Sequence, residues 1–213
     1  MARLLLYYIT DRTQFPGDEA ARREQLLTRI AAAVSSGVDY IQLREKDLPA
    51  RELELLARAA VQRIRESETT TRLLINSRVD VAIAACADGV HLPSDGISPA
   101  QARAIFQQGG VEKPLITVSC HTVQEVIAAR DQQADFVVFG PVFEKSGRAG
   151  VGLERLREAC SAASGIRILA VGGLTASSAA DCMHAGAAGF AGIRLFQSGN
   201  LAETVATLRA ISR

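Results

Sequence analysis

A (β/α)8 barrel is the fold this chain predicts, and three observations predict it. Eight short apolar segments recur along its 213 residues, with helical stretches filling the gaps. Those segments are nearly unbroken, as in ADFVVF and IRILAV, which suits parallel strands covered on both faces. The distinctive polar residues cluster where the segments end, the face on which such barrels carry their chemistry. An open doubly wound sheet is the competing topology.

The strands are expected at Leu4–Thr10, Val38–Arg44, Arg72–Asn76, Gly89–His91, Pro114–Val118, Asp135–Gly140, Ile166–Val171 and Gly189–Arg194. Between them, apolar residues fall at helical spacing, as with Leu53, Leu56, Ala60, Val61 and Ile64 in the second unit. Pro49, Pro99 and Thr175 suit helix starts. The fourth strand, GVHL, is the shortest, but strong helical segments bracket it (AIAACA and SPAQARAIF). No Pro/Gly/Ser-rich linker interrupts the series, so residues 1–213 read as a single domain.

Composition narrows the function classes. The chain is 48% hydrophobic, ample for one large core, and its net charge of +1 predicts neither a nucleic-acid nor an anionic-membrane partner. Four cysteines, Cys86, Cys120, Cys160 and Cys182, form no CxxC pair, so no zinc site or disulfide framework is indicated. Cys120 draws attention because His121 follows it. No stretch reaches transmembrane length, and MARLLLYYITDR is too short a run for a signal peptide, so a cytoplasmic location is expected.

Each strand end offers chemistry. In Gln42-Leu43-Arg44-Glu45-Lys46, alternation puts Gln42 and Arg44 on one side, and an Arg followed by a Lys can clamp an anion. The plain alternative is an Arg44–Glu45 ion pair at the rim. Asn76 could orient a ligand or cap the helix that begins near Arg78. His91, before the turn residues Pro93 and Gly96, reads as structural, and His184 lies on a helix. Ser119-Cys120-His121 follows PLITV, where an imidazole can move protons near neutral pH. The Glu144–Gly152 loop is cationic and glycine-rich, suited to folding over a ligand or to lying solvated. Gly172-Gly173 after the seventh strand and Arg194 after the eighth make a phosphate site, because glycines let backbone N–H groups approach an anion.

Taken together, YYITD, GVDYIQLREK, LLINSRVDVA, ADGVHLPSD, ITVSCHT, ADFVVFGPVF, ILAVGGLT and AGAAGFAGI resemble the thiamine phosphate synthase/TenI family, in order and over nearly the whole chain. The resemblance implies one of two activities. Synthases join hydroxymethylpyrimidine diphosphate to a thiazole phosphate, releasing diphosphate with Mg2+; TenI-like members isomerise a carboxylated thiazole phosphate without a metal. By the motif match, Gln42, Arg44, Lys46 and Asn76 fall on pyrimidine and diphosphate contacts. Gly173, Ile193 and Arg194 fall on thiazole-phosphate contacts, although a synthase usually has a small hydroxyl residue in place of Arg194. Ser119 and His121 match the Ser-x-His segment whose histidine is implicated in proton transfer in TenI-like members. Arg148 keeps the cation of the loop after the sixth strand, but the threonines of that loop are gone.

The departures choose between the two. The magnesium-holding aspartates of a synthase are replaced by Ser77 and Gly96, with Asp95 displaced by one residue. Leaving diphosphate develops high negative charge that Mg2+ normally neutralises, and lysines or arginines do not reproduce its bidentate geometry. Isomerisation needs only a positioned phosphate, a proton donor or acceptor and a closed pocket. A thiazole tautomerase with His121 as the catalytic residue is therefore the expectation, with no metal cofactor. A Mg2+-dependent synthase is the alternative, and a non-catalytic thiazole-phosphate-binding regulator the second alternative. Family members are often oligomeric, so the resemblance leaves a homo-oligomer open.

Overall fold

The computed structural model describes residues 3–144, 147 and 149–211. Eight parallel strands close on themselves in chain order: β1 (Leu5–Ile9), β2 (Tyr40–Leu43), β3 (Arg72–Asn76), β4 (Gly89–Leu92), β5 (Leu115–Cys120), β6 (Phe136–Phe139), β7 (Arg167–Val171) and β8 (Gly189–Gly192). Closure is made where β1 meets β8, with Leu5 opposite Gly189 and Tyr7 opposite Ala191. The doubly wound alternative is excluded, because an open sheet would leave β1 and β8 as edges.

Helices α1 (Glu19–Ser35), α2 (Ala50–Arg65), α3 (Val79–Ala84), α4 (Pro99–Gln108), α5 (Val123–Asp131), α6 (Gly152–Ala162) and α7 (Ala176–His184) follow strands one to seven. After β8 come a single turn, α8 (Arg194–Gln197), and then α9 (Leu201–Ala210). Hydroxyl caps set several starts. Ser98 and Gln101 form a capping box before α4, with Pro99 at its first turn, and Thr175 with Ser178 does the same for α7. Pro49 precedes α2 in an extended conformation, as its fixed φ allows.

Strand alternation makes two cores. Tyr7, Leu74, Leu115, Phe136, Leu169 and Ala191 point inward and pack together inside the barrel. Their neighbours Ile41, Ile75, Val137, Ala170 and Phe190 point outward into the larger layer under the helices. Small residues are needed where strands come closest: a Cβ on Gly189 would fall on the Leu5 carbonyl at the closing seam. Gly189→Ala is therefore expected to lose about 3 kcal/mol of stability, read as a lower urea midpoint at unchanged slope.

The strand ends differ from the expected bounds in two useful places. β5 runs on to Cys120, so Ser119 lies within a strand instead of after it. β8 stops at Gly192, and Arg194 opens a helical turn. The cause of that turn is tertiary. Gln197 Oε1 accepts from the Tyr8 hydroxyl at 3.0 Å and the Asp11 N–H at 3.1 Å, and Arg29 Nε donates to the Phe196 carbonyl at 2.7 Å. Among the described residues no helix is long and apolar enough to cross a membrane.

Candidate active site

The barrel mouth is built on side chains from β2 to β5. Gln42 is buried, and its Nε2 donates to Asn76 Oδ1 at 2.8 Å. Asn76 in turn donates to Ser77 Oγ at 3.0 Å. The helix-cap reading of Asn76 is thereby corrected: α3 starts at Val79, after Arg78, with no side-chain cap, because Gln42 and Ser77 occupy the Asn76 amide. Ser77 sits at φ 63, the left-handed region that non-glycine residues rarely enter, and its N–H donates to the His91 carbonyl at 2.8 Å. The turn after β3 is thus tied to β4.

His91 lies next across the barrel, 3% exposed. Its Nδ1 is 2.8 Å from Thr117 Oγ1 and its Nε2 2.8 Å from Ser119 Oγ. Burial, with the positive charge of Arg44 as a smaller cause, pushes its pKa down to about 3. A neutral imidazole thus links the floor of the barrel to half-buried Ser119. The sequence reads His91 as a structural residue, and its burial with both nitrogens hydrogen-bonded agrees. The signal was present, since Gly89 and His91 share the inward face of GVHL, but the partners on β5 appear only when the strands pair.

Arg44 is half-buried and Lys46 exposed at the end of β2. The alternative of an Arg44–Glu45 ion pair is not what forms. Glu45 turns away from the mouth, where Thr10 donates to Oε1 and the Arg12 backbone N–H donates to Oε2 at 3.0 Å. The Arg12 guanidinium lies 3.2 Å from the same carboxylate and 2.7 Å from Asp47. Thr10 Oγ1 also accepts the Arg44 backbone N–H at 3.0 Å, so this buried knot fixes where the β2 loop leaves the barrel. Burial raises the Glu45 pKa against the pull of Thr10 and Arg12, whereas the Arg12 bond holds the Asp47 carboxyl below its usual range.

His121 stands apart from this group. Thr122 and Glu125 form the capping box of α5, and Glu125 Oε2 accepts the backbone N–H groups of both His121 and Thr122. The ring Nδ1 is hydrogen-bonded to the Gly140 carbonyl. A carbonyl only accepts, so Nδ1 carries the proton and Nε2 is the nitrogen available for proton transfer. The ring is exposed and lines a cleft of about 910 Å3 between α5 and α6, with Phe139, Val151, Arg155 and Glu158. Cys120, which drew attention in sequence, faces the outer core and is buried; burial raises its thiol to about 12. Alkylation at pH 8 is expected to label exposed Cys86 and spare Cys120, with labelled peptides read by mass spectrometry.

Opposite these, Gly172 and Gly173 take φ 93 and φ 64 after β7. A Cβ on Gly173 would stand 2.7 Å from both the Glu144 carbonyl oxygen and Phe143 Cβ, so the loop after β6 rests on a bare backbone there. Ile193 is half-buried, and Arg194 is exposed on the turn anchored by Gln197 and Arg29. Arg148 lies outside the described residues.

The donors available to a divalent cation after β3 and β4 are two neutral side chains and one displaced carboxylate. The ends of β3 and β4 present the engaged amide of Asn76, the hydroxyl of Ser77 and, on an exposed turn, Asp95. Among the described residues no group of three His, Cys, Asp or Glu side chains could hold a metal ion. Mg2+ requires hard oxygen ligands, with one or two carboxylates as the usual protein share. This donor set fits it poorly.

A closed (β/α)8 barrel with polar side chains gathered at the carboxyl ends of its strands is the architecture of a small-molecule enzyme. The family model for thiamine monophosphate synthase matches residues 6–196, and the chain belongs to this thiamine-biosynthesis family. It is 43% identical over 190 residues to a candidate thiamine-phosphate synthase of Geobacter sulfurreducens, covering 87% of this chain and 83% of that one. Thiamine-phosphate synthase of Methanoculleus marisnigri is 39% identical over 190 residues, covering 87% and 84%. The solved thiamine phosphate pyrophosphorylase of Pyrococcus furiosus superposes with a TM-score of 0.81 at 29% identity, covering 98% of this chain and 95% of that one. These names favour the synthase, the alternative in the sequence reading, over the tautomerase.

Proposed function

We propose that this chain acts on a thiazole phosphate by proton transfer, as a thiazole tautomerase of thiamine biosynthesis. The observation that carries the reading is His121, whose Nδ1 is committed to the Gly140 carbonyl and whose Nε2 is thereby the proton carrier. In this reading Gly173, Ile193 and Arg194 hold the phosphate. Gln42, Arg44 and Lys46 hold the substrate carboxylate or shape the pocket, with Asn76, Ser119 and Arg148 as further substrate-binding residues. His121 Nε2 takes a proton from one position of the ring system and returns it at another, so no proton is gained or lost overall. The amide of Asn76, the hydroxyl of Ser77 and the displaced carboxylate of Asp95, a poor magnesium set, support a reaction that expels no diphosphate.

A second reading, the synthase, is favoured by the names of the relatives. Gln42, Arg44, Lys46 and Asn76 would then face pyrimidine diphosphate, and Mg2+ would neutralise the leaving diphosphate. One experiment separates the readings. The protein is incubated with carboxythiazole phosphate alone, and with thiazole phosphate plus hydroxymethylpyrimidine diphosphate, each with and without Mg2+. Metal-independent isomerisation supports the tautomerase. Thiamine phosphate formed only with Mg2+ establishes the synthase instead, and thiazole-phosphate binding without turnover of either kind leaves a regulatory binder.

A further inference from the structure

His91 is the buried ring that neither reading uses. Both of its nitrogens meet hydroxyls, Thr117 Oγ1 and Ser119 Oγ, each at 2.8 Å. A hydroxyl can donate or accept, whereas a neutral imidazole carries one N–H and one lone pair. Two arrangements therefore satisfy all three groups. In the first, Nε2–H donates to Ser119 and Thr117 donates to Nδ1, which leaves the Ser119 O–H free to donate into the mouth. In the second, Ser119 donates to Nε2 and Nδ1–H donates to Thr117, which leaves Ser119 only lone pairs to offer. His121 shows the contrast, since its carbonyl partner permits one role alone. The ring is kept neutral by complete burial and by Arg44 nearby, and Tyr7 packs beside it with ring centroids 5.8 Å apart.

We propose that His91 is a positioning residue whose tautomer sets whether Ser119 offers the mouth a hydrogen-bond donor or an acceptor, so that one hydroxyl can meet heteroaromatic ligands of either edge. An acceptor edge is a thiazole nitrogen; a donor edge is the amine of an aminopyrimidine. The ligand class rests on the function proposed above, whereas the two-tautomer ring does not.

Nitrogen-15 NMR of the histidine-labelled protein tests both parts. In the free protein the His91 nitrogens are expected at averaged positions between the two neutral tautomers, unchanged from pH 5 to 8. Ser119→Ala removes the Nε2 partner and is expected to drive the ring to the Nδ1–H form. Added thiazole phosphate should shift wild-type His91 toward Nε2–H, and aminopyrimidine phosphate toward Nδ1–H, with neither shift in Ser119→Ala. A ring frozen in one tautomer in both proteins, or a cationic ring at pH 7, overturns the proposal whatever binds. An averaged ring with no resonance of the protein moved by either ligand retains the two-tautomer device, overturns its role toward these ligands, and counts against the proposed function as well.

Discussion

Replacing His121 with glutamine is expected to slow isomerisation of the carboxythiazole phosphate by about 10²- to 10⁴-fold, the usual share of a positioned acid–base group. The substitution keeps a hydrogen-bond donor within reach of the Gly140 carbonyl and leaves the Glu125 capping box intact, because that box uses backbone N–H groups. Fold and phosphate affinity should therefore hold, and the loss should fall on kcat with KM within about threefold. Single-turnover rates and a thiazole-phosphate titration read the two parts separately. Turnover near the wild-type rate would remove His121 from the mechanism. A loss confined to KM would make it a binding group.

The largest expected effect on stability comes from Arg12. Its side chain is 4% exposed and that of Glu45 1%, so Arg12→Met leaves a carboxylate buried without its cation. Breaking one partner of such a pair costs about 3–5 kcal/mol. The sign of its pH dependence follows from the shifts. Burial already raises Glu45, so its contribution to stability is present below the unfolded value and lost as pH rises through the folded one. Without Arg12 the folded value rises further, and protonation relieves the buried charge. Asp47 and Glu19 are depressed by Arg12 and contribute in the opposite sense, above their unfolded values, but both are about half exposed and count for less. The deficit of Arg12→Met should thus be largest near neutral pH and shrink below about pH 5. Urea unfolding at pH 7 and pH 4.5 checks this. Arg12→Met combined with Glu45→Leu should recover much of the loss, because the pair is then replaced by packing. A deficit that does not shrink on acidification would show that lost packing of the Arg12 side chain, not its charge on these carboxylates, sets the cost.

The barrel was legible because its signals are local and periodic. Nearly unbroken strands such as FVVF can be buried on both faces only with helices outside and a filled interior, and both cores form as that pattern requires. Arg72–Asn76 matches its expected bounds, while the other strands shift by a residue or two at their ends. Larger misreadings occur where a long-range partner takes over. Arg194 reads as the end of a strand, yet Gln197 and Arg29 hold the chain in a helical turn that begins at Arg194. Glu45 reads as the neighbour of Arg44, but Arg12, 33 positions away, claims it. Asn76 reads as a cap until Gln42 from the adjacent strand occupies its oxygen.

The sequence by itself determined the eight-unit rhythm, the family motifs and the absence of aspartates at positions 77 and 96, because these are properties of residue order. Tertiary structure alone decided which polar groups meet. Strand pairing brought His91 between Thr117 and Ser119, and the Gly140 carbonyl fixed the proton on one nitrogen of His121. A hydrogen bond or ion pair depends on distances of a few ångströms between residues far apart in the chain, and only closure of the barrel sets those distances.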